Sequence, residues 1–324
     1  MTFIASVVAK KGVAVIADSL VTSSQPILHH KKFIDHLSAQ IPNTAGEITI
    51  TPNDISGLFE WEPTYTKDFE EKLFDFNEYT AITTTGIASI NDKKIVALVN
   101  EFKALRQADI NDFSISIDIK LDQFSEYLID QIKEHLDKNS EVGSCTFIFS
   151  FYERSTSTTH IYKIATIPTD ATALADEGFT YLSRHKEVDW AKVVCDGQNK
   201  ISDNILYGFG RPFYLMFPRI VNNILNKLTL PEGTVPADFI DTLKEDDYFN
   251  NIFYGDVEML NLSELSLQQA VDLASLLMRV EVDFQKYTRN IPTVGGVIKL
   301  AVIDDKGFRF ILGDAIEPPK HIHL

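Results

Sequence analysis

Thr2-Phe3-Ile4-Ala5-Ser6-Val7-Val8-Ala9-Lys10-Lys11-Gly12-Val13-Ala14-Val15-Ile16-Ala17-Asp18-Ser19 holds two apolar runs, Phe3 to Ala9 and Val13 to Ala17, around the turn-forming Lys10-Lys11-Gly12. It predicts a β-hairpin. Both runs are apolar at nearly every position instead of every second one, the pattern of strands covered on both faces. The sheet that holds them is expected to be sandwiched.

The hairpin opens a chain of 324 residues, long enough for about two domains or one large one. Hydrophobic residues at 44% and charged residues at 23% are ordinary for a folded globular protein and exclude a disordered or fibrous one. A net charge of −16 argues against nucleic acid or an anionic membrane surface as partner. Uncharged stretches such as Val142 to Tyr152 fall short of the ~18 apolar residues that span a bilayer. Lys10 and Lys11 interrupt the apolar start, which is not the order of a secretory signal. Two cysteines, Cys145 and Cys195, cannot build a disulfide framework and have no metal-ligand spacing. A reducing cytoplasm, no metal and no cofactor are the expectation.

Residues 23–66 scatter Pro26, Pro42, Pro52 and Pro63 among polar residues without a period, and read as a loop-rich insertion. After Phe74-Asp75-Phe76 comes the strand Thr80 to Thr85. Asn91 is then expected to cap a helix carrying Ile95, Leu98, Val99, Phe102 and Leu105 at helical spacing. A second amphipathic helix is expected from Asp122 to about Asp137, and a hairpin from Thr146 to Ile164. Residues 229–258, with Pro231, Gly233, Pro236 and the acidic Glu245-Asp246-Asp247, read as another insertion. Ser266 and Gln269 have capping-box spacing ahead of Ala270, Val271, Ala274, Leu277 and Met278. Gly295-Gly296, the run Val297 to Ile303 and the turn Asp304 to Gly307 predict a final hairpin. Hairpins mixed with paired helices fit an α+β chain with helices outside two stacked antiparallel sheets.

The chemistry starts at Thr2. If Met1 is removed, threonine carries both a hydroxyl and a free α-amino group, whose reference pKa of about 7.7–8.0 lets it accept the hydroxyl proton. A small second residue is common by chance, so Thr2 alone carries nothing. His29-His30 and His321/His323 lack a third ligand at metal spacing and read as solvated surface. Cys145 and Cys195 read as buried, inert thiols.

Thr2, the run Gly12 to Asp18 with Ser19, and Thr22 together resemble the N-terminal hairpin of proteasome β subunits. Lys72 to Tyr79 followed by Thr84-Thr85-Gly86 resembles that family's lysine strand and the glycine after its next strand. Leu265 to Ala274 and Val302-Ile303-Asp304 with Gly307 resemble its late helix and last hairpin. The resemblance implies a four-layer αββα N-terminal-nucleophile hydrolase spanning 1–324 as one domain, with insertions at about 23–66 and 200–258. It implies that Thr2 is the nucleophile, that Lys72 lowers the pKa of the threonine centre, that Asp18 holds Lys72 charged and oriented, and that Gly86 donates its backbone N–H to the oxyanion.

The chain departs from the family at two places. Active β subunits carry an Asp and a Ser before the glycine pair, where this chain has Ile291-Pro292-Thr293-Val294; Thr293 is the candidate substitute for the serine. The serine-glycine-serine turn is replaced by Asp196-Gly197-Gln198, with Asp196 a candidate contact for the α-amino group. Similar loosening near the glycine pair is seen in the ancestral bacterial β-subunit family called Anbu, so the chain is identified as a divergent bacterial member. Ser19, Asp196 and Thr293 are supporting candidates. The function implied is a threonine peptidase that hydrolyses unfolded polypeptide inside a self-compartmentalised homo-oligomeric ring, with an ATP-dependent unfoldase as a possible partner. Two alternatives stand beside it: a catalytically inactive scaffold subunit, and an amidase of the same chemistry acting on a small molecule.

Overall fold

The computed structural model describes residues 2–40, 51, 55, 57–67, 70–187, 193–208, 211–228, 231, 234–236, 238–240, 262, 264–288 and 291–311. Strands β1 (Phe3–Ala9) and β2 (Gly12–Ala17) form the expected hairpin. β3 (Val21–Leu28), α1 (His30–Gln40) and β4 (Phe59–Lys67) follow, then β5 (Leu73–Asn77), β6 (Thr80–Gly86), α2 (Ile95–Leu105) and α3 (Ile117–Leu136). The chain continues through β7 (Cys145–Glu153), β8 (Thr158–Thr166), β9 (Leu182–Glu187), β10 (Val193–Gly197), α4 (Lys200–Tyr207) and α5 (Arg211–Leu225). It ends with α6 (Leu267–Gln285), β11 (Lys299–Asp304) and β12 (Gly307–Phe310).

Two five-stranded antiparallel sheets organise these elements: β10-β1-β2-β11-β12 and β9-β8-β7-β6-β5. Alternation along β1 divides its side chains between two cores. Phe3, Ala5, Val7 and Ala9 join Ala270, Val271, Ala274, Leu277 and Met278 of α6 in one cluster. Ile4 faces the other way and meets Leu73, Ala81, Ile148 and Ile161 of the second sheet. Two-sided burial is why nearly every position of the two strands is apolar. On its other face the second sheet sends Phe74, Phe76, Phe147 and Phe149 against α2 and α3, where Phe124 meets Phe102, Phe147 and Phe149 edge-on at 5.2 Å between ring centroids. Between the sheets one polar pair is buried, Ser6 Oγ to Ser150 Oγ at 2.8 Å. The molecule is thus a mixed helix-and-strand fold built on antiparallel sheets.

The structure corrects several local expectations. Residues 23–66 are not only loop: β3 and β4 pair with each other over Val21↔Lys67 to Leu28↔Phe59, and α1 lies between them in sequence. Asn91 does not cap α2, whose N-cap is Lys94. Asn91 has φ +51 and bonds Gln131 and Glu134 of α3 instead. α3 starts five residues before Asp122, capped by the Ser116 side chain on the Ile119 N–H. Within 200–258, α4 and α5 are helical, while Glu245-Asp246-Asp247 lies outside the described residues. The capping box of Ser266 and Gln269 is present in full.

Candidate active site

The hairpin brings Thr2, at the entry of β1, beside Asp18, just past the end of β2, and Lys72 arrives from the residue before β5. The Thr2 hydroxyl donates to Asp18 Oδ1 and accepts from Lys72 Nζ. Lys72 Nζ also lies 3.1 Å from Asp18 Oδ1 and donates to the Leu20 carbonyl at 2.5 Å. Asp18 takes two further donors, the Phe3 N–H at 3.1 Å on Oδ1 and the Gly295 N–H at 3.0 Å on Oδ2. All three side chains are buried: Thr2 is 2% exposed, Asp18 1% and Lys72 9%. Burial pushes the Lys72 ammonium below the ordinary lysine range, and the Asp18 carboxylate opposes it. A hydroxyl held between an ammonium and a carboxylate is placed to lose its proton with the developing alkoxide facing a cation.

Thr2 opens onto a cleft of about 940 Å³ lined by Lys72, Gly86, Asp196, Gln198 and Thr293, among others. Two glycines shape it. Gly197 has φ +89, and a Cβ there would sit 2.0 Å from the Thr2 carbonyl oxygen, so only glycine lets the Gln198 N–H reach that oxygen at 2.6 Å. Gly86 has φ +108, and its Cβ would overlap the Ser144 carbonyl at 2.2 Å. The glycine therefore lets β6 turn off beside Ser144 with its backbone exposed at the cleft.

The supporting candidates take different positions. Ser19 accepts from the Val297 N–H at 2.7 Å and donates its own N–H to the Gly295 carbonyl at 3.1 Å, so it fixes the glycine-pair loop against the hairpin. Asp196 lines the cleft but is paired with Lys163 and accepts from the Gly197 N–H at 2.6 Å. The Thr293 hydroxyl lies against the amide oxygens of both Gln198 and Gln285. Met1 lies outside the described residues. Gln285 is a residue the sequence reading passed over. It is 4% exposed and continues the buried stripe of α6 through Glu281.

Burial pushes both cysteine thiols well above their ordinary range, so neither is an activated thiolate. Among the described residues no group of three or more His, Cys, Asp or Glu is arranged to hold a metal, and no helix is long and apolar enough to cross a membrane. His29 lies 3.5 Å from Glu60, while His321 and His323 lie outside the described residues. The chain matches no protein-family model and, at a significant level, no curated protein.

Proposed function

We propose that this protein is an N-terminal threonine hydrolase of the proteasome β-subunit type, with Thr2 as the nucleophile after removal of Met1. The observation that carries the reading is the buried contact of the Thr2 hydroxyl with Lys72 Nζ and Asp18 at the wall of the cleft. Two sheets stacked between helices support the four-layer fold of that class.

In the reaction, Thr2 Oγ attacks a peptide carbonyl carbon while its proton passes to the free α-amino group. Lys72 steadies the alkoxide, Asp18 holds Lys72 and the hydroxyl in line, and the Gly86 backbone N–H receives the oxyanion. Collapse of the tetrahedral intermediate expels the amine, which takes up the proton, and leaves an ester on Oγ. Water, deprotonated by the α-amino group, then hydrolyses that ester. The substrate class is unfolded polypeptide, the assembly a homo-oligomeric ring with sites facing a chamber, served by an ATP-dependent unfoldase.

Intact mass of the purified protein, with and without a peptide epoxyketone that captures both groups of an N-terminal threonine, tests the reading. Loss of Met1 and a single adduct that disappears in Thr2→Ala are expected. Retained Met1 with no adduct would overturn it and favour the inactive scaffold.

A further inference from the structure

The segment before the glycine pair is held by an amide. The Gln285 Oε1 atom accepts from the Thr293 N–H and, at 3.1 Å, from the Val294 N–H, and lies 3.2 Å from the Thr293 hydroxyl. Its Nε2 donates one turn back to the Glu281 carbonyl at 2.9 Å, which fixes the amide on α6. Glu281, itself 1% exposed, accepts from the Ile201 and Ser202 N–H groups at 2.9 and 2.7 Å, so α6 is tied to the start of α4 at the same level.

The residue after Val294 is Gly295, whose N–H is on Asp18 Oδ2 and whose carbonyl accepts from the Ser19 and Leu20 N–H groups at 3.1 and 3.0 Å. The Leu20 carbonyl in turn receives Lys72 Nζ. On the other side, Thr293 reaches Gln198, whose N–H is on the Thr2 carbonyl. An amide oxygen on α6 is thus two residues of backbone from the acid that holds the nucleophile.

We infer that Gln285 is a positioning residue for Thr2: by gathering the Thr293 and Val294 donors it sets the Gly295 N–H on Asp18 and so fixes the line of Asp18, Lys72 and the Thr2 hydroxyl. The inference rests on the threonine-hydrolase reading for its consequence but not for its geometry. A misplacement of the order of 1 Å is enough to cost about a hundredfold in rate.

The test compares wild type, Gln285→Met, which keeps length and loses the accepting oxygen, and Gln285→Glu, which keeps that oxygen. The rate of epoxyketone capture by the full chain is measured against reagent concentration, with thermal melting as the check on folding. Hydrogen exchange of segment 293–297 is followed in parallel. Gln285→Met is expected to lower the limiting capture rate roughly tenfold to a hundredfold with half-saturation unchanged within about twofold, and Gln285→Glu to recover most of it. Faster exchange confined to 293–297 in the Met variant is expected as well. A folded Met variant captured at the wild-type rate, or a Glu variant as slow as the Met one, overturns the inference. If Gln285→Met does not fold, the Glu variant decides alone: retained rate supports the accepting role, lost rate ends it. If wild type itself forms no adduct, the threonine reading falls and exchange decides: protection of 293–297 unchanged in a folded variant overturns the grip, and its loss upholds it.

Discussion

Lys72 carries two opposed demands. Asp18 favours its charge, while burial, the larger influence, disfavours it and holds its pKa below the ordinary lysine value of 10.5. In the window just under pH 10.5 the unfolded chain therefore binds more protons than the folded one, so this residue makes stability rise with pH there. Denaturant melts of Lys72→Met should show that rise flattened. Capture of Thr2 should climb as the α-amino group loses its proton, near its reference pKa of about 7.7–8.0, and fall again as Lys72 loses its own at a pH below 10.5. A pH profile with no alkaline fall would show that the ammonium is not what steadies the alkoxide. Lys72→Ala should abolish capture and cost about 3–5 kcal/mol of stability, because Asp18 is left buried without its cation. Gly197→Ala, forced onto the Thr2 carbonyl at positive φ, should lower the melting temperature and the capture rate together. Most of this candidate site was legible through the resemblance to proteasome β subunits, whose pattern picks out Thr2, Asp18, Lys72 and Gly86, and the structure brings the first three into contact. Gln285 was not, because a single glutamine on a helix says nothing until the fold shows which backbone donors it meets.

At the level of elements, the helix that packs on the second sheet shows where pattern reading slips. The buried stripe of α3 begins Ile117, Lys120, Leu121, Phe124, and Lys120 occupies a core position with its Nζ donating to the Ile110 carbonyl at 2.9 Å. A lysine at an apolar position hides the first turn of the period, which is why the expected start fell at Asp122. Residues 23–66 were misread for another reason: β3 and β4 pair mainly with each other, so neither carries the alternation that a core imposes. Ser266 and Gln269, by contrast, form a local device that needs no tertiary context. Ser266→Ala should cost about 1 kcal/mol in a urea melt. Phe124→Ala, at the meeting point of three aromatic rings, should cost about 3–5 kcal/mol. Equal losses from the two would contradict the division between cap and core drawn here.

For the whole molecule, the ring assembly of the proposed function makes a hydrodynamic statement. Sedimentation should give one closed homo-oligomer, and an unfolded protein should be cleaved while its folded form survives. A monomer that cleaves both would remove the chamber from the reading. The core between the sheets adds a mechanical statement: Ser6 and Ser150 form a directional contact inside a mainly apolar layer, so sliding one sheet past the other would separate two paired hydroxyls.

The bond from the Gly295 N–H to Asp18 Oδ2 spans a separation of 277 residues. A ribosome adding about 5–20 residues per second needs roughly fifteen to sixty seconds to travel that far. Through that interval the hairpin bearing Thr2 exists while the partner that completes its acid has not been made. On the threonine-hydrolase reading proposed above, the site of the nascent chain stays incomplete until the late part of the chain folds back onto the early part.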